Sequence, residues 1–318
     1  MIKAEPLSIL VVNWKSKEYV RRCLHTIHAT CKDLNPQIVI VDGGSFDGCG
    51  KMLEAEFPRV EFVQSPDNRG FGRSNNLGFE KVTGDYVLLL NPDTELKPGA
   101  LQKLLGEIVG KPDTGLVGPK LLNSDGTLQT SCVQSLPTPW NQAVDSEGLR
   151  RFLPNSRLWG VGQAFQAKEP TEVEAISGAC MLLKAETFRR IGGFSAEFFM
   201  YGEDMDLCAK VHRLGLKVLH VPSSEVIHHG GGSSKTQVSQ FSTVMMRVSG
   251  QTYMRLNYGR TKAFLYRFLQ AISATVRLII LIPACLLSAG PRRCSSKTSL
   301  QKWWYVLRWS LGFSPIRF

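Results

Sequence analysis

The sequence predicts an α/β protein with a mostly parallel, doubly covered β-sheet, followed by a helical C-terminal segment. Apolar runs rich in Val, Ile and Leu alternate with segments of helical pattern between residues 7 and 90. Nearly continuous apolar runs are typical of strands that are buried on both faces, as in parallel sheets. After Glu225 the chain has no further Asp or Glu and becomes helical in pattern.

The elements of the first part follow from this alternation. Strands are predicted at residues 7–14, 37–42, 60–65 and 85–90, and helices at 16–30, 47–57 and 71–82. In such sheets ligands bind beyond the carboxyl ends of the strands. We therefore expect a site near Asn13, Asp42 and the segment Asn91-Pro92-Asp93.

Residues 96–235 are expected to complete a domain that spans residues 1–235, with residues 1–95 as its first half. The second half contains a predicted helix at 98–109, a strand at 116–122, a helix that begins at Glu203 and a strand at 217–222. The loop at 134–162 is rich in Pro, Asn and Gly.

Residues 236–318 form a basic, hydrophobic tail with 12 of the 38 Lys and Arg residues and none of the 27 acidic ones. The first 235 residues therefore carry 26 basic and 27 acidic groups. The uninterrupted apolar run at 278–289 is shorter than the ~20 residues that cross a bilayer. Trp303, Trp304 and Trp309 lie among basic residues, as at a membrane–water interface. The tail thus favours an anionic membrane surface over nucleic acid, with peripheral or monotopic attachment; an ordinary helical subdomain is the alternative.

Overall composition, with 43% hydrophobic and 20% charged residues, excludes wholesale disorder. The eight cysteines are scattered without a CxxC pair, and no signal peptide is recognised at the start. We expect reduced thiols and a cytoplasmic setting.

Two glycine-containing segments could bind a nucleotide. Asp42 opens the sequence DGGSFDG directly after a strand, where a carboxylate can accept a base or ribose hydrogen bond; a plain turn is equally compatible. The segment 67–78, DNRGFGRSNNLG, precedes a helix and suits a diphosphate. Taken alone, it reads more simply as a capped helix start.

Acidic and histidine clusters follow other predicted strands. Asp93 could hold a divalent cation, or N-P-D could be only a turn. The carboxylates of Glu203, Asp204 and Asp206 repel one another, so one of them could serve as a general base. Alternatively, acidic residues occur at a helix N-terminus simply because they interact favourably with the helix dipole. The pair His228-His229 could bind metal or phosphate, or be two loop histidines.

Taken in order, these motifs resemble family 2 glycosyltransferases with the GT-A fold, in the bacterial rhamnosyltransferase-like branch that acts on polyprenyl-linked glycans. The resemblance covers about residues 5–235 and is carried by the following segments: VVNW (11–14), VDGGSFDG (41–48), NRGFGRSNN (68–76), LLLNPDTEL (88–96), SGACMLLK (177–184), GGFSAEFFMYGEDMDLC (192–208) and HHGGGSS (228–234).

The resemblance implies a Rossmann-like nucleotide-binding sheet joined to an acceptor-binding half. It also implies roles for single residues. The nucleotide-sugar site would contain Asn13, Asp42, Asn68, Gly70, Asn75 and Asn91. Asp93, with His228, would bind Mg²⁺ or Mn²⁺. Asp204, in the pair with Glu203, would be the catalytic base.

Two departures from the family pattern stand out. Asn91 replaces the first acid of the family's DxD motif, and Arg73 stands where a small residue is common.

The expected activity is inverting transfer of rhamnose or a similar sugar from a UDP- or dTDP-sugar to a lipid-linked glycan, at the cytoplasmic face of a bacterial membrane. The sequence does not identify the sugar, or which of His228 and His229 binds the metal. A membrane-tethered pseudoenzyme would lack the acids that are present here. A sugar nucleotidyltransferase would show a glycine-rich loop after the first strand, where this chain has NWKS. A nucleic-acid binder would rest on the basic tail alone.

Overall fold

The computed structural model describes residues 6–144, 164–230, 240–287 and 290–313. Its chain divides into two compact units. Unit 1 comprises Met1–Leu136, Asn155–Phe199 and Glu203–Ser233. Unit 2 comprises Pro137–Pro154, Met200–Gly202 and Ser234–Phe318.

Unit 1 is built on a mixed β-sheet. Its strands are β1 (Leu7–Asn13), β2 (Gln37–Asp42), β3 (Glu61–Gln64), β4 (Tyr86–Leu90), β5 (Thr94–Leu96), β6 (Thr114–Leu122), β8 (Thr171–Glu172), β10 (Cys180–Lys184) and β11 (Lys217–His228). Strands β7 (Val133–Gln134) and β9 (Ala175–Ile176) form a separate pair. The order across the main sheet is β3-β2-β1-β4-β10-β6-β11-β5, and β8 pairs with β11.

The described residues of unit 1 form six α-helices: α1 (Lys17–Thr30), α2 (Cys49–Glu56), α3 (Phe71–Phe79), α4 (Ala100–Ile108), α6 (Ala185–Arg190) and α7 (Glu203–Arg213). The central strands β1 and β4 are buried along their whole length. The predicted α/β architecture is therefore confirmed, because strands with apolar residues on both faces need cover on both sides.

The register brings several strand ends to one edge. Strands β1, β2, β3 and β4 are parallel, with Asn13 opposite Asp42 and Val11 opposite Leu90. Strand β10 runs antiparallel to β4, with Cys180 opposite Leu90. The loop that enters β10 therefore lies at the edge where β1, β2 and β4 end.

Two elements differ from the sequence-based expectation. Strand β5 is too short to give an apolar run and exists because it pairs antiparallel with β11. Strand β11 continues to His228 instead of ending near Pro222, since a register shift between Val221 and Glu225 lets it pass the proline. Such a bulge accommodates extra residues without ending the ladder.

Unit 2 is helical, with α5 (Pro139–Val144), α8 (Gln240–Tyr258), α9 (Arg260–Leu287) and α10 (Gly290–Ser310). Side chains of α9 hold the ends of two other helices. Gln270 donates to the backbone of α5, and the Arg267 guanidinium donates to the carbonyls of Trp309 and Ser310 at the end of α10.

Helix α9 is longer than the apolar run in the sequence suggested. Within the described residues it alone is long and apolar enough to cross a membrane, with 28 residues and a mean hydropathy of 1.9 over its most apolar stretch. A single helix of this length and composition does not by itself identify a membrane span, because a buried core helix can have the same composition.

Candidate active site

The ends of β1 and β2 form a closed hydrogen-bonded cluster around Asp42. The Asn13 amide nitrogen lies 3.2 Å from Asp42 Oδ1 and 3.1 Å from Asp47 Oδ1. Asp42 Oδ2 accepts from the Phe46 backbone N–H and from Gln64, each at 2.9 Å. Asn13 and Asp42 are almost completely buried, so any ligand group at Asp42 competes with these internal donors.

Two exposed aromatic residues flank this cluster, and the sequence analysis did not single them out for function. Trp14 is 41% exposed and Phe46 is 65% exposed, and Phe46 has a positive φ of 50°. A large side chain held in a left-handed conformation is uncommon outside turns and functional sites.

The segment 68–76 is anchored to the loop that precedes α7. Gly70 has φ 88°, and a Cβ there would lie 2.1 Å from the Phe199 carbonyl oxygen. The Asn68 side chain accepts from the Gly70 N–H, whereas buried Asn75 donates to the carbonyl of Phe71 within α3. Only Asn68, of these three predicted nucleotide ligands, is exposed.

Asn76, to which the sequence analysis assigned no role, links this segment to Phe194. The Asn76 side-chain amide both accepts from the Phe194 N–H and donates to the Phe194 carbonyl, each at 2.9 Å. This reciprocal pair fixes the start of the loop that leads to Glu203.

Asn91, Asp93 and His228 are brought together where β5 pairs with β11. Thr94 lies opposite His228 in that ladder. His228 Nε2 is 3.3 Å from Asp93 Oδ1 and 3.4 Å from the Asn91 amide nitrogen. His228 and Asp93 are both largely buried, with side chains 15% and 16% exposed.

The hydrogen-bond network determines which nitrogen of His228 is available. The Gln129 amide group donates to Asn123 Oδ1 and to the His228 carbonyl, so its Oε1 must be the atom 2.7 Å from His228 Nδ1. Since Oε1 only accepts, Nδ1 carries the proton. In the neutral ring, Nε2 then presents a lone pair beside the Asp93 carboxylate.

His229 has a different environment. Its Nε2 lies 2.9 Å from the Glu95 carboxylate and its Nδ1 lies 2.7 Å from the Ser124 hydroxyl. His229 therefore pairs with Glu95 and Ser124, whereas Nε2 of His228 faces Asp93 and Asn91.

The acidic pair at the start of α7 consists of two unlike carboxyl groups. Glu203 is 8% exposed, and its Oε2 has no hydrogen-bond partner among the residues that the structure describes. Burial, and then the neighbouring Asp204 charge, raise the pKa of Glu203 to about 8. Burial also raises the pKa of Asp204, but its oxygens accept from the Gly178 N–H at 3.0 Å and the Met205 N–H at 2.9 Å.

The loop 177–179 links this pair to the strand ends. The Asn91 N–H donates to the Ala179 carbonyl at 2.9 Å, and the adjacent residue Gly178 holds Asp204. A Cβ on Gly178 would lie 3.2 Å from the Asp204 Cβ, so this close approach favours glycine. Asp206, by contrast, is buried and accepts from Ser195, a structural contact.

Comparisons with known proteins identify the family and the fold. The family model described as "Glycosyl transferase family 2" matches residues 8–191, and a model of the N-terminal domain of galactosyltransferase matches residues 162–230.

Among curated proteins, the N-acetylglucosaminyl-diphospho-decaprenol L-rhamnosyltransferase of Mycobacterium tuberculosis is 28% identical over 243 residues, 72% of this chain and 77% of that protein. Rhamnosyltransferase WbbL of Escherichia coli is 24% identical over 73% of this chain and 86% of its own length. These similarities support a transferase of the rhamnosyltransferase-like kind.

The fold is also found in solved structures. The mannosyltransferase PcManGT from Pyrobaculum calidifontis, in complex with GDP-Man and Mn²⁺, has a TM-score of 0.62 and 14% identity, covering 98% of this chain and 88% of that one. The architecture is thus the GT-A-like α/β fold. Since the family model spans more than half of the chain, the protein belongs to glycosyl transferase family 2 and is a glycosyltransferase.

Proposed function

We propose that the protein is an inverting glycosyltransferase that moves rhamnose or a related sugar from a UDP- or dTDP-sugar to a hydroxyl of a polyprenyl-linked glycan. The observation that carries this proposal is the position of the Asp204 carboxylate. It accepts a hydrogen bond from the Gly178 N–H, and the next residue, Ala179, accepts one from the Asn91 N–H. This position gives one edge of the sheet both a basic oxygen and a polar site for a nucleotide.

Asp204 is the better general base of the acidic pair. Its carboxylate is stabilised by backbone donors and by Gln134, whereas the buried Glu203 Oε2 has no hydrogen-bond partner within the described part of the chain. Such unequal environments separate two neighbouring carboxyl groups into an acid and a base. At neutral pH Glu203 keeps its proton and Asp204 accepts the proton of the acceptor hydroxyl, whose oxygen attacks the anomeric carbon.

Asp93 and His228 fit a divalent cation. Two electron-pair donors, the Asp93 carboxylate and the His228 Nε2 lone pair, converge to 3.3 Å, an arrangement that favours a shared positive charge. Gln129 orients the ring from the opposite nitrogen, as outer-sphere partners of metal-bound histidines do. Within the described residues no three His, Cys, Asp or Glu side chains cluster, so the donor's phosphates would complete the shell.

A bound Mg²⁺ or Mn²⁺ would stabilise the negative charge that develops on the leaving diphosphate. The protein's own contribution is to orient that diphosphate near Asn91 and to keep Asp204 ionised. The nucleotide base would lie at Asn13 and Asp42, between the exposed rings of Trp14 and Phe46, with Asn68, Gly70 and Asn75 lining the donor side.

The choice of donor and acceptor rests on the relatives. The mycobacterial protein is named as a rhamnosyltransferase that acts on N-acetylglucosaminyl-diphospho-decaprenol. The Pyrobaculum calidifontis structure contains GDP-Man and Mn²⁺. We favour a pyrimidine nucleotide here because the family resemblance places a pyrimidine base at Asp42, whose carboxylate can accept the ring N–H that uracil and thymine share.

The test compares Asp204→Asn with the control Asp33→Asn, which removes the charge of an exposed acid that is distant in sequence from Asp204. Asp204→Asn is expected to lower diphosphate release by at least about a thousandfold, because the general base is lost, and to leave nucleotide binding nearly unchanged by calorimetry. Full transfer activity in Asp204→Asn would refute the assignment, and the absence of transfer with every nucleotide sugar in the wild type would favour the pseudoenzyme.

We further propose that α9 attaches the protein to the cytoplasmic leaflet. From Phe264 onward the exposed side chains of α9 are apolar apart from Thr275, and those at least half exposed include Phe264, Phe268, Ile279, Ile280, Leu286 and Leu287. Arg277 points inward, where its guanidinium lies 4.1 Å from the Trp303 ring centroid and bonds to Ser273. A helix with its charge inside and its apolar residues outside suits a hydrocarbon environment.

Charge supports the same attachment. The tail has no acidic residue, and each basic residue close to an anionic surface adds about 1 kcal/mol. We expect the double variant Ile279→Glu with Ile280→Glu to lose flotation with phosphatidylglycerol vesicles. The control Ala55→Glu with Gly106→Glu adds the same charge at exposed helix positions of unit 1 and should still float. Equal flotation of both double variants would count against attachment through this face.

A further inference from the structure

Gln64 lies beside Asp42 and belongs to none of the sequence motifs described above. It is the last residue of β3 and lies opposite Asp42, the last residue of β2, in the parallel ladder. Its Nε2 is 2.9 Å from Asp42 Oδ2. Gln64 is exposed, whereas only 1% of Asp42 is accessible. Of these two paired side chains, only that of Gln64 therefore offers a ligand an accessible surface.

Both oxygens of Asp42 already accept hydrogen bonds. Oδ1 accepts from the backbone N–H and the hydroxyl of Ser45 and from the Asn13 amide. Oδ2 accepts from the Phe46 N–H and from Gln64. A carboxylate offers about four lone-pair positions, and these donors already fill them. Asp42 can accept a hydrogen bond from a ligand only after one of its own donors leaves.

The hydrogen bonds of Gln64 determine which way its amide points. Nε2 lies 3.0 Å from the Ser65 carbonyl oxygen as well as 2.9 Å from Asp42 Oδ2. The Asp42 carboxylate and the Ser65 carbonyl only accept hydrogen bonds, so the nitrogen faces them and both of its N–H groups are used. Oε1 has no hydrogen-bond partner among the residues that the structure describes. This exposed side chain thus presents an acceptor of fixed orientation and no free donor.

An exposed aromatic residue accompanies this acceptor. The Phe46 backbone N–H binds the same Asp42 oxygen as Gln64, so the two residues meet at one atom. The Phe46 side chain is exposed. Sites for single nucleobases commonly combine an aromatic side chain that stacks on the base with a polar group that pairs with its edge. Phe46 and Gln64 supply both kinds of group where β2 and β3 end.

We propose that Gln64 is the residue that recognises the nucleotide base, through a hydrogen bond from the ring N–H of uracil or thymine to its Oε1. The inference rests on the proposed function, which places the base at Asn13 and Asp42. This N–H lies between two carbonyl groups of the base that cannot donate. A group that only accepts therefore matches the single donor on that edge. Asp42 keeps its own donors, so binding needs no rearrangement of the cluster.

The test is titration calorimetry of the full-length wild type and Gln64→Leu. The probes are UDP or dTDP, whichever binds more tightly, and the same nucleotide methylated at the ring nitrogen. The wild type should bind the unmodified nucleotide about fivefold more tightly than the methylated one, and Gln64→Leu should bind both within about twofold. Gln64→Leu should also bind the unmodified nucleotide about fivefold more weakly than the wild type. Gln301→Leu, the same change at an exposed position of α10, should match the wild type.

The sign of the change separates Gln64 from Asp42. If Asp42 accepted the base N–H, Gln64→Leu would remove a competing donor, and the nucleotide would bind at least as tightly as to the wild type. Unchanged or tighter binding by Gln64→Leu, or an equal methylation penalty in both proteins, would overturn the proposal. Sugar transfer without the expected differences rejects the Gln64 assignment alone. The expected differences without sugar transfer keep the assignment and reject the proposed activity.

Discussion

Replacing Glu203 with Gln should change the pH dependence of stability in a defined direction. Glu203 is buried, and its pKa is raised from 4.5 to about 8, mainly by burial. The folded protein therefore holds a proton that the unfolded chain releases as the pH rises above about 4.5. Because the unfolded state binds fewer protons, the stability of the wild type falls as the pH rises from about 4.5 to about 8.

The size of the effect follows from the same shift. Each pKa unit corresponds to about 1.4 kcal/mol. Because folding keeps Glu203 protonated, the free energy of unfolding at pH 7 is about 3 kcal/mol lower than at a pH below 4.5. Glu203→Gln keeps the shape of the side chain and cannot ionise. The variant should thus match the wild type near pH 4.5 and become more stable by about 2–3 kcal/mol at pH 7.

The measurement is urea unfolding of the full-length chain between about pH 5 and pH 8, with the same detergent at every pH. Glu186→Gln, an exposed change on α6, is the matched control and should follow the wild type. Asp204→Asn should retain most of the slope, since the Asp204 charge is the smaller cause of the shift. Parallel curves for wild type and Glu203→Gln would refute the assignment of Glu203 as the protonated member of the pair.

Three further predictions concern the backbone and the proposed cation site. Gly70→Ala should destabilise the protein by about 1–3 kcal/mol more than Gly110→Ala, because both have positive φ but only Gly70 faces a backbone carbonyl; equal unfolding midpoints would contradict this. His228→Ala should abolish Mn²⁺-dependent nucleotide binding while His229→Ala retains it, and the opposite order in titration calorimetry would exchange their roles. Gln129→Leu should weaken Mn²⁺ affinity about 10–100-fold without removing a ligand; unchanged affinity would show that His228 needs no positioning partner.

The fold was predictable where burial alone determines structure. The runs that form β1, β2 and β4 are apolar at nearly every position, and parallel pairing brings their polar ends together. Strand β5 has no such pattern, because its pairing with β11 joins residues more than 120 positions apart. Helix α9 was underestimated because the inward orientation of Arg277, toward Trp303, depends on tertiary packing.

The candidate site was predictable to a similar extent. Asp42 and Asp93 follow strands, so their common edge could be inferred from the sequence. The partners Asn76 and Gln129 could not, because each contacts a group about 100 residues away along the chain. An amide that orients a histidine or a loop carries no local motif.

The antiparallel direction of β10 is what allows the proposed base and the proposed nucleotide site to share one edge of the sheet. Strand β4 ends at Leu90, and its partner Cys180 is the first residue of β10. If β10 ran parallel to β4, residues 177–179 would enter the sheet at the opposite edge, about 15 Å away for five residues per strand. Gly178 would then hold Asp204 far from Asn91. The proposed transfer chemistry therefore depends on the mixed sheet of unit 1. Its parallel strands gather the proposed nucleotide-binding residues at one edge, and the reversed strand β10 brings Gly178, and with it the Asp204 carboxylate, to the same edge.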